Sequence, residues 1–383
     1  MTSTAAPTWL DPAEARVGDL RAHVERGTDP AAHPRAAAIR SGVPVYDATT
    51  LLADDRRAVQ TELVATLLDG PGIVVISGTF ERPVLDAATA EFRAMIAEQR
   101  ASGAVAGDHF AKPGANDRIW NAAEKLALRA PAVFAAYYAN PALALVCEAW
   151  LGPGYQVTSQ VNQVNPGGAA QSPHRDYHLG FMDAAGAARY PSHVHRLSPA
   201  LTLQGAVAHG DMPVESGPTM YLPHSQTYPH GYLVADREDV RTYFAEHHVQ
   251  LPLAAGDAVF FNPALIHGAG HNRTTDVHRL ANLLQVSSAF GRAMESCDRA
   301  AMARAVFPAL FSLPDDGSLE NAVAATAEGY AFPTDLDADP PVDGLAPPSP
   351  ADVLLRAVRE RWSPSALDAA LSAQTSRRRG VVT

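Results

Sequence analysis

The stretch SPHRDYHLG, residues 172–180, sets two histidines and an aspartate within five residues of a chain otherwise rich in Ala, Val and Leu. In extended backbone, residues i and i+2 project from the same side. His174 and Asp176 would then point together and Arg175 away, so that an imidazole and a carboxylate reach one cation. Two ligands do not complete a site, and a third must come from another strand. Two histidines and one carboxylate on one face of an octahedron leave three positions open, the arrangement suited to non-haem Fe(II) and oxygen chemistry. The pattern HxD is weak by itself. The chain holds 15 histidines and a second copy, His209-Gly210-Asp211.

A more specific signal lies downstream in GDAVFFNPALIHGAGHNRTTDVHRLANLLQVSS, residues 256–288. A Gly-Asp turn precedes the strand AVFFN, and His267 follows between apolar residues and a Gly-rich bend. Arg279, twelve residues later, opens the next apolar run. A hairpin between them would set Arg279 deep beside His267. A buried guanidinium cannot shed its charge and needs an anion, and a dicarboxylate co-substrate would supply one.

These parts together resemble the phytanoyl-CoA dioxygenase family of Fe(II)/2-oxoglutarate-dependent oxygenases. The resemblance rests on HRD (174–176), ESGPTMYLPHS (215–225), GDAVFFNPALIHGAGHN (256–272), Arg279 and the entry LLDGPGIVVISGTFERPVLD (67–86), over roughly residues 45–295. It implies a mainly β chain with flanking helices around a double-stranded β-helix (jelly-roll, cupin-like) core. It implies iron held by His174, Asp176 and His267, and Arg279 paired with the distal carboxylate of 2-oxoglutarate. O2 is the third reactant, succinate and CO2 are released, and a C–H bond of a small organic molecule is oxidised. The intact Asp176 favours hydroxylation, or desaturation or ring closure, over halide binding.

Further co-substrate contacts are expected from Gln163 or its neighbour Asn162 before the HxD, from Gln204, from Thr219, and from Lys112 or Lys125 in GDHFAKPGANDRIWNAAEKL (107–126), a segment that helps to cover the site in this family. His178 falls on the metal side if the strand continues, as a neighbouring or substrate-facing group, and is otherwise a polar rim residue. The sequence departs from the family in two places. Pro-Gly-Ser-His is here Pro223-His224-Ser225-Gln226, and an aromatic is here Gln204. The alternative reading is a cupin-like metal-dependent dioxygenase or isomerase without 2-oxoglutarate, for which Arg279 would have no purpose.

The elements that must position these groups are legible in outline. Apolar residues at helical spacing over 51–69 and 83–100 flank the β-branched run IVVISG (73–78). Short extended runs fill 155–290: YQVTSQVNQV, ALTLQGAVA, GPTMYLP, DAVFFN and LANLLQVSSAF. This spacing favours an antiparallel sandwich or barrel over alternating βα units. Helix returns in CDRAAMARAVFPALF, a Pro- and Asp-rich irregular segment follows, ADVLLRAVRERW is amphipathic, and SRRRGVVT reads as a frayed tail. The expected division is an N-terminal arm (1–44), the jelly-roll oxygenase domain (45–300), and C-terminal helices with a Pro-rich segment (301–383).

Composition narrows the field further. The 383 residues are 47% hydrophobic with a net charge of −11, and no basic face suggests nucleic acid. No run reads as a membrane-spanning helix or signal peptide. Two separate cysteines, Cys147 and Cys297, suit a reducing compartment, so the expected location is the cytoplasm.

Overall fold

A computed structural model describes residues 7–103, 114–180, 182–342 and 344–379. Among the described residues ten strands form two sheets. The large one has the order β1 (Ala38–Arg40), β2 (Val43–Asp47), β3 (Ile73–Ser77), β8 (Ala258–Phe261), β6 (Thr202–Ala208), β10 (Arg279–Ser287), β5 (Gln156–Val164), β4 (Asn116–Ile119). Only β2 and β3 pair in parallel. The small sheet pairs β7 (Met220–Leu222) with β9 (Ile266–Gly268), Tyr221 opposite His267. Helices hold more of the described residues than strands do. The expectation of a mainly β chain is therefore corrected to a large mixed sheet carried by extensive helical packing.

Period-2 alternation divides the sheet into two working faces. Val157, Val161, Leu203, Val207, Phe260, Leu280 and Leu284 pack into the core shared with the helices. Val75, Ala206, Val259, Phe261 and Ala281 belong to a second cluster with Tyr221, Leu251 and Leu253. The four-residue run AVFF of β8 is buried throughout because both faces of that strand are covered, which is why it reads as continuously apolar. Most of the site lies on the second face, opposite the small sheet.

The helical segments adjust the sequence reading in two places. The run 51–69 is two helices, Ala48–Ala53 and Arg56–Leu68, and the second starts where Asp55 accepts from Ala58 N at 2.8 Å. The C-terminal arginines are not a frayed tail. Ser363 caps a helix Pro364–Arg378, and Arg377 pairs with the buried Asp339 at 2.8 Å while Arg378 reaches Glu328 at 3.3 Å. They tie down the irregular Pro-rich segment. At the other end, Leu10 and Leu20 are buried with Tyr228, Leu233 and Tyr243. Among the described residues no single helix is long and apolar enough to cross a membrane; the bent pair Pro131–Tyr138 and Pro141–Leu151 contributes most of its apolar residues to the core.

Candidate metal centre and co-substrate pocket

Residues 171–180 form no regular strand. His174 makes an isolated bridge with His267 on β9, each backbone N–H donating to the other's carbonyl at 2.9 and 3.0 Å, and Asp176 N donates to Pro263 O at 3.0 Å. The expected common direction of His174 and Asp176 thus comes from two backbone anchors. The imidazoles are oriented alike: Nδ1 of His174 meets Ser172 O at 2.9 Å, and Nδ1 of His267 meets Leu265 O at 2.9 Å. A carbonyl only accepts, so each Nδ1 carries a hydrogen and Nε2 is the atom left to face the carboxylate of Asp176.

The two Nε2 atoms flank one carboxylate. His174 Nε2 is 3.7 Å from Asp176 Oδ1, and His267 Nε2 is 3.7 Å from Asp176 Oδ2. One ligand atom from each residue lies within 4.8 Å of the others. Burial, reinforced by the neighbouring His174 ring, lowers the pKa of His267 and keeps it neutral at neutral pH, the form that ligates a metal. Phe261 packs against the His267 ring, centroids 4.7 Å apart. Gln204 donates from Nε2 to Asp176 Oδ2 and lies 3.3 Å from Gln285 Oε1, so it steadies the carboxylate.

The triad opens into a cavity of about 180 Å³ that also reaches Arg279. A smaller space of about 40 Å³, adjoining at Asn162, Thr219 and Arg279, continues toward Tyr221. Arg279 is buried, has no acidic partner among the described residues, and leaves Nη1 without a hydrogen bond. Burial pushes its pKa down to about 10, which still leaves a cation at neutral pH. Such an orphaned charge is costly without an anion.

The remaining expected residues divide. Thr219 lines both spaces, and so does Asn162, which accepts from Asn116 Nδ2 at 3.0 Å. Gln163 is corrected: strand parity turns it to the opposite face, where it bonds Asp117 at 3.3 Å and Asn165 at 3.2 Å. Gln204 reaches the ligating carboxylate. Lys112 lies outside the described residues, and Lys125 is exposed on the helix Ala122–Arg129. His178 turns aside to Thr202 Oγ1 at 2.8 Å. The second HxD is structural: both ring nitrogens of His209 are occupied, by Thr89 at 2.7 Å and Tyr137 at 3.0 Å, and Asp211 accepts from Ala255 N. Arg175 points away from the triad as expected and is buried, bonded to the carbonyls of Ser225 and Tyr228 and stacked over Tyr232 at 5.3 Å. The cavity residues not foreseen are Tyr221, Gln160, Gln285 and Arg118. Counting by twos from Arg279 leads to Gln285, so that signal was present.

The model of the family described as phytanoyl-CoA dioxygenase (PhyH) matches residues 68–281, more than half of the chain and inclusive of the triad and Arg279. The chain belongs to the phytanoyl-CoA dioxygenase family. Among solved structures, this family member is similar to the non-haem α-ketoglutarate-dependent epimerase SnoN from nogalamycin biosynthesis. The identity is 21%, over 61% of this chain and 82% of that one, with a TM-score of 0.44. It is also similar to AviO1 from Streptomyces viridochromogenes Tue57 at 17% identity, over 62% and 97%, with a TM-score of 0.45. No curated protein matches it. The phytanoyl-CoA dioxygenase family comprises non-haem iron and 2-oxoglutarate enzymes, and these cofactors fit the residues present. Two imidazoles and a carboxylate converge on one point, and an unpaired buried guanidinium stands in the same cavity.

Proposed function

We propose that this protein is an Fe(II)/2-oxoglutarate-dependent dioxygenase that hydroxylates, or otherwise oxidises, an unactivated C–H bond of a small organic molecule, with release of succinate and CO2. The observation that carries this reading is the orphaned Arg279 sharing one cavity with the His174–Asp176–His267 set. Iron, 2-oxoglutarate and O2 supply the oxidising power when bound. The chain's own contribution is placement. His174, Asp176 and His267 would hold the metal, a donor set suited to non-haem iron. Arg279 neutralises the distal carboxylate of the keto acid, with Thr219 and Asn162 beside it. Gln204 fixes the carboxylate of Asp176. Tyr221, Phe261 and Leu283 supply apolar walls that limit water. In this reading the two sheets are the halves of a double-stranded β-helix, with the substrate entering between them.

The test is anaerobic absorption spectroscopy with Fe(II) and then 2-oxoglutarate. A weak visible charge-transfer band that needs both additions supports the reading. Iron binding without that band would favour the cupin-like alternative, and no iron binding would remove both.

A further inference from the structure

The cavity has a second polar wall, centred on Gln285, that reaches the triad only through Gln204. Arg279 and Gln285 both lie on β10, six residues apart and on the same face, which separates them by roughly 20 Å. Around Gln285 the lining changes character: Gln160, Arg118, Trp120 and Met294 join it. The side-chain carbonyl of Gln285 is near Gln204 Nε2 at 3.3 Å, while its NH2 donates to no group among the described residues. Gln204 Oε1 is buried without a partner. Arg118 donates to Gln160 Oε1 at 2.5 Å and lies over the Trp120 ring at 4.7 Å. Behind them Glu295 accepts from Asn121 N at 2.9 Å. Burial raises its pKa, and Gln160, Arg118 and Lys125 oppose that rise. Arg118 is engaged by an amide and an aromatic face.

We infer that the substrate is an uncharged small molecule rich in hydroxyl or carbonyl oxygens, bound by hydrogen bonds to Gln285 and Gln204 and packed against Trp120. The inference rests on the oxygenase reading above and specifies its substrate class. Side-chain amides both donate and accept, so they match hydroxyl and carbonyl groups without requiring charge. A buried amide left unpaired penalises a plain hydrocarbon at this wall. Arg118 is already bonded to Gln160 and laid over Trp120, so side-chain amides form the polar part of this wall. Trp120 and Met294 supply the apolar surface on which the carbon face of such a molecule rests.

The experiment starts from the full chain loaded anaerobically with Fe(II) and 2-oxoglutarate. The charge-transfer band itself tests the underlying reading, and its absence would sink that reading independently of this one. Methyl glucoside and octanoyl-CoA are then titrated separately, following the band position and, in air, succinate formation. The expected result is a band shift and faster succinate release with the neutral polyol. Gln285→Leu should weaken this response about tenfold while leaving the starting band in place, and Gln285→Asn should restore part of it. The inference is overturned if octanoyl-CoA is the probe that acts, if the polyol has no effect, or if Gln285→Leu responds like the parent protein.

Discussion

His174 and His267 are joined backbone to backbone, each donating to the other at 2.9 and 3.0 Å. A ligand from a loop and a ligand from β9 are thereby held at a fixed separation by the fold itself, with ring centroids 4.5 Å apart. Metal binding need not order these two groups, and much of the site's geometry is set by main-chain bonding.

Removal of a ligand should therefore abolish iron binding without unfolding the chain. His267→Ala and Asp176→Ala are expected to lose more than the roughly 10–100-fold that an outer-sphere change costs. Iron content after anaerobic loading, with circular dichroism as the control for folding, measures this.

Arg279→Met should separate stability from function. It removes a buried, unpaired cation, so the apo-protein should melt at an equal or higher temperature. Binding of 2-oxoglutarate should weaken by about 2–5 kcal/mol, read as a raised KM or a lost charge-transfer band. A variant that melts lower and keeps the band would contradict the role given to this residue.

Gln204→Leu should lower iron affinity about 10–100-fold, because Asp176 Oδ2 loses its donor. Gln204→Glu should be worse, since it opposes two carboxylates. Competition with a chelator gives the affinities.

Acid should destabilise the protein through His209. Burial pushes its pKa down to about 3, against about 6.5 in the unfolded chain. Between these values the unfolded state carries a proton that the folded state refuses. Stability therefore falls as pH drops from about 6.5 toward 3, by about 1.4 kcal/mol per pH unit from this group. Urea unfolding at several pH values should show a shallower slope for His209→Phe, whatever its offset at neutral pH.

Gly231→Ala should cost about 1–3 kcal/mol, because a Cβ there collides with the buried Arg175 guanidinium. Arg175 stands between His174 and Asp176, two of the proposed metal ligands, so iron affinity should fall with stability. Chemical denaturation and metal titration of the same variant test both.

The convergence of His174, Asp176 and His267 and the burial of Arg279 were legible because ligand chemistry restricts residue type and a buried arginine demands a partner. The strands were legible from short apolar runs between turn residues. What could not be read was direction. Gln163 and Asn162 are adjacent and chemically similar, and only the register of β5 against β10, Asn162 opposite Ala281, turns one toward the cavity and the other away. His178 was misplaced because the HRDYH segment bends after Asp176, where Tyr177 and Gly180 close a tight bridge. The helix over the final arginines was missed although Ser363 and Pro364 are an N-cap and first-turn pair, because its apolar face is thin.

The strand β10 also acts as a ruler. Arg279 stands at one end and Gln285 toward the other, with no bulge in the register against β5 or β6. The distance between Arg279, the proposed anchor of the keto acid, and Gln285, the proposed anchor of the substrate, is thus set by backbone that side-chain substitution does not stretch. The carbon presented to the metal is then the one lying at a set span from the substrate's bound end. On the proposed reading regioselectivity becomes a matter of measured length, and moving the amide from position 285 to 283 would shift the oxidised carbon by about one two-residue step, roughly 7 Å.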